Sequence, residues 1–144
     1  MHIRLTPKHV SSINTIHKIF EFKTIAVVGM SPKPQRPSHY VSLYMQKNDY
    51  QIIPVNPGHN EIISLKSYPS LMDIPNDVGI VNVFRRSEFV KPIAEDAVKI
   101  GAKALWLQDG VISDDAYQIA KDAGLMVIMD DCLLRQHLSY MNNT

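Results

Sequence analysis

Apolar residues in this chain fall into short, almost unbroken runs, and the stretches between them repeat apolar positions every three or four residues. Ile25 to Val28, Gln51 to Val55, Val78 to Phe84, Ala104 to Leu107 and Leu125 to Met129 read as strands. They are short, rich in branched side chains, and lack the in-and-out alternation of a sheet wetted on one face. The intervening stretches read as helices. Ser38 is a capping type, and Tyr40, Val41, Tyr44 and Met45 follow it at helical spacing. Ser87 precedes Phe89, Val90, Ile93, Ala94, Ala97 and Val98 as an inward stripe that stops at Gly101, with Pro92 disturbing the first turn. Ser113 with Asp114 and Asp115 opens another helix, which ends at Gly124. Upstream, Thr6-Pro7 offers a cap and first helical position, and Ile13, Ile16, Ile19 and Phe20 continue the spacing, so a helical extension over residues 1–22 is expected to pack on the rest. Residues 58–75 are punctuated by Pro69 and Pro75 and are expected to form a loop, with at most a short edge strand near Ser64 to Lys66.

Buried strands alternating with helices specify a mainly parallel sheet of about five strands with helices on both faces, since right-handed crossovers carry the chain from one strand to the next. The expected fold is therefore α/β, Rossmann-like and doubly wound. Ligands of such sheets lie beyond the carboxyl ends of the strands. Here those ends carry Gly29 to Arg36, Val55 to Pro57, Phe84 to Arg86, Gln108 to Gly110 and Asp130 to Cys132.

Length and charge narrow the function classes. At 144 residues the chain is expected to form one domain over its whole length, with no room for a second catalytic one. Fifteen Lys and Arg against 14 Asp and Glu, with no basic run, argue against a nucleic-acid surface. Cys132 is the only cysteine, so no intrachain disulfide and no paired-cysteine metal site is expected. Apolar runs of about five to seven residues are far below a membrane span, and with no signal-peptide pattern at the start a cytoplasmic location is expected.

The chemistry concentrates in the first loop. Thr24-Ile25-Ala26-Val27-Val28-Gly29 runs into Met30-Ser31-Pro32-Lys33-Pro34-Gln35-Arg36 and then a helix start, the local design that receives a phosphate at a helix N-terminus. Backbone N–H groups after Gly29, the Ser31 hydroxyl, Lys33 and Arg36 are the expected anion ligands, and a side chain at Gly29 is expected to block the ligand's approach. The loop is not the dinucleotide fingerprint, because Ser31 and Pro34 stand where glycines would be needed. Asn56 ends the second strand where an NAD site places an acidic residue for the ribose. Arg85 and Arg86 reach the same sheet edge and could pair with phosphate or stack on adenine. No catalytic or metal constellation emerges: His39 and His137 lack a partner at a diagnostic spacing and read as structural, Trp106 reads as core, and Cys132 reads either as a small buried apolar residue or as a reactive thiol.

Taken together, Ile25-Ala26-Val27-Val28-Gly29-Met30-Ser31-Pro32-Lys33-Pro34, Ile52-Ile53-Pro54-Val55-Asn56-Pro57, Tyr68-Pro69-Ser70-Leu71, Val83-Phe84-Arg85-Arg86, Gly101 to Gln108 and Val127-Ile128-Met129-Asp130 with Cys132 resemble the stand-alone CoA-binding proteins. Their fold is that of the CoA-binding domain of the succinyl-CoA synthetase alpha subunit. The resemblance covers about residues 13–140 and implies non-covalent binding of coenzyme A or an acyl-CoA. It assigns Gly29, Met30, Ser31, Lys33 and Arg36 to the pyrophosphate, Asn56 and Pro57 to the ribose, Val83, Phe84 and Arg85 to the adenine side, and Gln108, Asp109 and Gly110 to the pantetheine route. Two positions depart from the family pattern, with Asp109 standing for an apolar residue and Asp131 for a basic one. The synthetases carry their phosphorylated histidine on another domain, so no ligase activity is implied for this chain. The implied partner is a small-molecule CoA ligand rather than a membrane or nucleic acid. The alternative is an enzyme using a bound nucleotide cofactor, NAD(P)-linked or acyl-transferring.

Overall fold

The computed structural model describes residues 13–142. In chain order it has α1 (Ile13–Ile19), β1 (Thr24–Val28), α2 (Pro37–Lys47), β2 (Gln51–Val55), a small hairpin of β3 (Glu61–Ile62) and β4 (Leu65–Lys66), β5 (Ile80–Val83), α3 (Val90–Lys99), β6 (Ala104–Leu107), α4 (Asp114–Asp122), β7 (Met126–Ile128) and α5 (Leu133–Asn142). Five strands form one parallel sheet in the order β2-β1-β5-β6-β7. The fold is the expected doubly wound α/β, Rossmann-like arrangement. The chain steps outward from β1 to β2 and then returns to lay β5 on the other side of β1. That reversal opens a crevice at the carboxyl ends of β1 and β5, because the loops leaving them part to opposite faces.

Both sheet faces are covered, which is why the strands lack alternation. On one face, Ala26, Val81, Val83, Leu105 and Val127 pack against α3 and α4 through Val90, Ala94, Ala97, Ala116 and Ala120. On the other, Ile25, Val27, Ile52, Ile80, Trp106 and Ile128 pack against Ile16 and Ile19 of α1, Val41 and Met45 of α2 and Leu133 of α5. Trp106 fills that core as expected, and its indole N–H donates to the Asp131 carbonyl at 3.0 Å.

Several local expectations are corrected. Arg36, not Ser38, is the N-cap of α2, with Pro37 at the first position; Ser38 is buried and bonds across the loop instead. Ser87 to Phe89 form a separate 3₁₀ turn, so α3 begins at Val90, and Phe89 points outward rather than joining the buried stripe. The third main strand is shorter than the Val78 to Phe84 run. Residues 58–75 contain the β3–β4 hairpin, whose turn places Ile63 and Ser64 at positive φ, and Ile62 is anchored in the core. Helix α5 did not stand out in the sequence. Thr6-Pro7 lies outside the described residues.

Candidate functional site

The carboxyl ends of β1, β2 and β5 enclose an outer cleft of about 480 Å³, walled by Gly29, Ser31, Pro32, Lys33, Arg36, Pro37, Ser38, Asn56, His59 and Phe84. Its loop is braced from both sides. The Ser31 N–H donates to Ser38 Oγ at 2.9 Å, His39 Nδ1 lies 2.9 Å from the Ser31 carbonyl, and Asn56 Nδ2 donates to the Met30 carbonyl at 2.8 Å. The Ser31 hydroxyl accepts the Lys33 N–H at 3.1 Å, which fixes the oxygen while leaving its own proton to donate into the cleft. Lys33 and Arg36 are exposed on the rim. Among the described residues the ion pairs are those of Arg135 with Asp109 and Asp131, so the rim cations carry uncompensated positive charge into the cleft.

The N–H groups at and after Gly29 divide into paired and unpaired ones. Gly29 N–H donates to Val55 at 2.9 Å and extends the ladder, and that of Ser31 is held by Ser38. The Met30 N–H has no acceptor among the described residues and stays available beside the side-chain donors. Gly29 has φ +86°, and a Cβ there would lie 3.1 Å from the Phe84 carbonyl and 3.0 Å from Arg85 Cδ. A side chain at this position would press on the chain just past the end of β5.

An inner cavity of about 220 Å³ adjoins the cleft and is lined by Pro37, Tyr40, Val41, Phe84, Gln108, Asp109, Val111 and Cys132. Pro37 and Phe84 wall both, so a cationic cleft and a more apolar cavity lie side by side. Below the inner cavity, Gln108 Nε2 donates to Asn82 Oδ1 at 2.7 Å, and Asn82 Nδ2 finds no protein partner. That bond fixes the Gln108 amide with its carbonyl oxygen free to accept. A smaller cavity of about 130 Å³ opens on the α3 face, where Pro57 and Arg85 meet Val28, Val55, Ser70, Leu71 and Asp96. Arg85 is steadied over the Phe89 ring at 5.1 Å.

The expected residues thus divide into groups. Gly29, Ser31, Lys33, Arg36, Asn56 and Phe84 share the outer cleft, Gln108 and Asp109 reach the inner cavity, and Pro57 and Arg85 face the side cavity. The Met30 and Val83 side chains are wholly buried in opposite cores and reach the site only through main chain. Gly110 donates its N–H to Asp130 Oδ1 at 2.7 Å and shapes the loop from behind. His59, Tyr40 and Val111 were not anticipated. His59 comes from the loop ahead of the hairpin, and Tyr40 read as part of a helix stripe although it is half exposed beside the inner cavity.

Arg135 of α5 grips the inner rim. Its Nη1 and Nη2 donate to the two Asp109 oxygens at 3.2 and 2.9 Å, and Nη2 also reaches Asp131 Oδ1 at 2.8 Å. The guanidinium hydrogen bond, with its charge, holds the Asp109 carboxyl below the usual carboxylate range despite some desolvation. His137, expected to be structural, is buried with Nδ1 2.8 Å from the Tyr44 hydroxyl, edge-on to Phe20 and Tyr50.

Known proteins supply an independent comparison. The profile of a family described as "CoA binding domain" matches residues 23–137. An uncharacterized protein of Bacillus subtilis, YneT, is 46% identical over 115 residues, covering 80% of this chain and 85% of that protein. A solved structure of a hypothetical protein from Pyrococcus horikoshii is 32% identical and superposes with a TM-score of 0.89, covering 98% of this chain and 99% of the other. The ADP-forming acetate–CoA ligase II of Archaeoglobus fulgidus is 26% identical over 106 residues, spanning 72% of this chain but only 16% of the ligase.

Proposed function

The chain belongs to the family of CoA-binding domains, and from that premise we propose that it binds coenzyme A or an acyl-CoA non-covalently in the crevice at the β1–β5 switch point, without ligase activity of its own. The observation that carries the reading is the adjacency of the two cavities across Pro37 and Phe84. A cationic cleft beside a more apolar cavity matches a ligand with a polyanionic nucleotide at one end and a thin pantetheine arm at the other.

In this reading the Ser31 hydroxyl, Lys33 and Arg36 hold the pyrophosphate as charge-assisted donors. Asn56 fixes the loop and borders the ribose, and Pro57 and Arg85 flank the adenosine end beside the side cavity. The pantetheine arm crosses Phe84, where the free Gln108 carbonyl accepts an amide N–H. Among the described residues that line the crevice there is no nucleophile–base pair, so binding rather than turnover is the proposed task.

Isothermal calorimetry with CoA, acetyl-CoA, NAD and NADP tests this. CoA is expected to bind at least tenfold more tightly than NAD, because the additional 3′-phosphate meets an uncompensated cationic rim. NAD binding as tightly as CoA would sink the proposal and favour a nucleotide-dependent enzyme.

A further inference from the structure

The two ends of the crevice differ in charge sign. Lys33 and Arg36 make the mouth cationic, whereas no lysine or arginine lines the inner cavity. Asp109 forms part of the inner wall, and Asp130 and Asp131 follow β7 beside it. Asp130 accepts the Gly110 N–H from the loop that carries Asp109, at 2.7 Å. One cation faces two of these carboxylates, Asp109 and Asp131. Arg135 directs Nη1 and Nη2 at Asp109 and shares Nη2 with Asp131, so its fork is already engaged. Counted with Arg135, Asp109 and Asp131 leave the inner rim one negative charge in excess, beside an apolar lining of Tyr40, Val41 and Val111.

On these grounds, and resting on the CoA reading above, we infer that the inner cavity accepts free CoA or a thioester with a small uncharged acyl group, and rejects CoA thioesters that end in a carboxylate. An acyl group on a thiol delivered past Phe84 enters the apolar part of the cavity, where a methyl or propyl group replaces water at no electrostatic cost. A terminal carboxylate would lose hydration there and meet Asp109 and Asp131 at short range. The donors that could neutralise it are hydrogen-bonded to those same aspartates, so a new carboxylate could gain Arg135 only by displacing one of them. Asp109 and Asp131 are thereby the residues that set acyl selectivity.

Calorimetry on the intact chain with CoA, acetyl-CoA, butyryl-CoA and succinyl-CoA separates charge from size. The first three are expected to bind within about threefold of one another and succinyl-CoA about tenfold more weakly at low salt. Both aspartates are partly exposed, so the gap should shrink at about 0.5 M salt, where screening cuts the repulsion. It should also shrink in Asp109→Asn, read as the ratio of succinyl-CoA to butyryl-CoA affinity within that variant; should the variant fail to fold, the salt series on the unaltered chain decides. Succinyl-CoA and butyryl-CoA binding equally, whether both tightly or both weakly, overturns the inference while leaving CoA binding intact. No heat with CoA itself overturns both.

Discussion

Replacing Gly29 by alanine separates two effects that a glycine at a strand end usually combines. Its φ of +86° lies in the left-handed region, which costs an L-residue about 1–2 kcal/mol. Gly124 has almost the same φ, +90°, but nothing lies within 4 Å of the Cβ it would acquire. Gly124→Ala therefore measures the backbone cost alone. Gly29→Ala adds a carbon 3.1 Å from the Phe84 carbonyl and 3.0 Å from Arg85 Cδ, and the first of these is main chain that yields only if β5 shifts. Overpacking of this kind costs a further ~1–3 kcal/mol.

Urea unfolding should thus place Gly29→Ala about 2–5 kcal/mol below the parent and at least ~1 kcal/mol below Gly124→Ala. The two variants should also differ in ligand binding. Gly124 precedes β7 at the amino ends of the strands, away from the crevice at their carboxyl ends, whereas Phe84 walls both the outer cleft and the inner cavity. CoA affinity should fall in Gly29→Ala and stay at the parent value in Gly124→Ala. Equal stability losses would refute the crowding argument, and a destabilised Gly29→Ala that binds CoA normally would refute Phe84 as a wall of the site.

Arg36→Ala should weaken CoA by about 1.5–3 kcal/mol, the worth of a hydrogen bond to a charged group, with an unchanged melting temperature for the free protein; unaltered calorimetric affinity would make it a bystander. Gln108→Leu should lower stability by about 1–3 kcal/mol because Asn82 Oδ1, 2.7 Å from Gln108 Nε2, loses its buried donor, and adding Asn82→Leu should recover part of that loss in urea titrations; no recovery would show that the bond is not the cause. Burial, reinforced by Lys23, holds the His137 pKa below its ordinary value, so the unfolded chain takes up a proton there before the folded one does. Stability should be flat above the ordinary histidine range and decline as pH falls from about 6.5 toward the depressed folded pKa, and a His137→Phe variant keeping the same acid slope would exclude this histidine as its source. Cys132 lines the inner cavity, so saturating CoA should slow its alkylation, followed by intact mass; unchanged labelling would place the pantetheine arm elsewhere.

The parallel sheet and its crevice were legible because each strand is buried on both faces and therefore announces itself as a plain apolar run, whatever its neighbours. Helix ends were less so. Ser38 has the chemistry of a cap, but Pro37 pre-sets the first helical position and moves the boundary back to Arg36, freeing Ser38 to brace Ser31. The donors after Gly29 were legible only in part, since the Met30 N–H is unpaired while that of Ser31 is held by Ser38. Sequence spacing marks where a turn begins but not whether β2 continues far enough for Val55 to accept the Gly29 N–H.

Helix α5 was hidden by its own core residues. Of its ten positions only Leu133 and His137 are fully buried, and a histidine does not count as apolar in any periodicity, although here its ring is packed among Phe20, Tyr44 and Tyr50. Yet α5 places Arg135 on the rim of the inner cavity. Asp109 looked like an isolated departure from the family pattern, and so did Asp131. Burying His137 fixes the rotation of α5, and that rotation points the residue two positions earlier at both carboxylates. The two aspartates and the arginine thus form a unit whose members are 4 and 26 residues apart in sequence, which spacing alone does not connect.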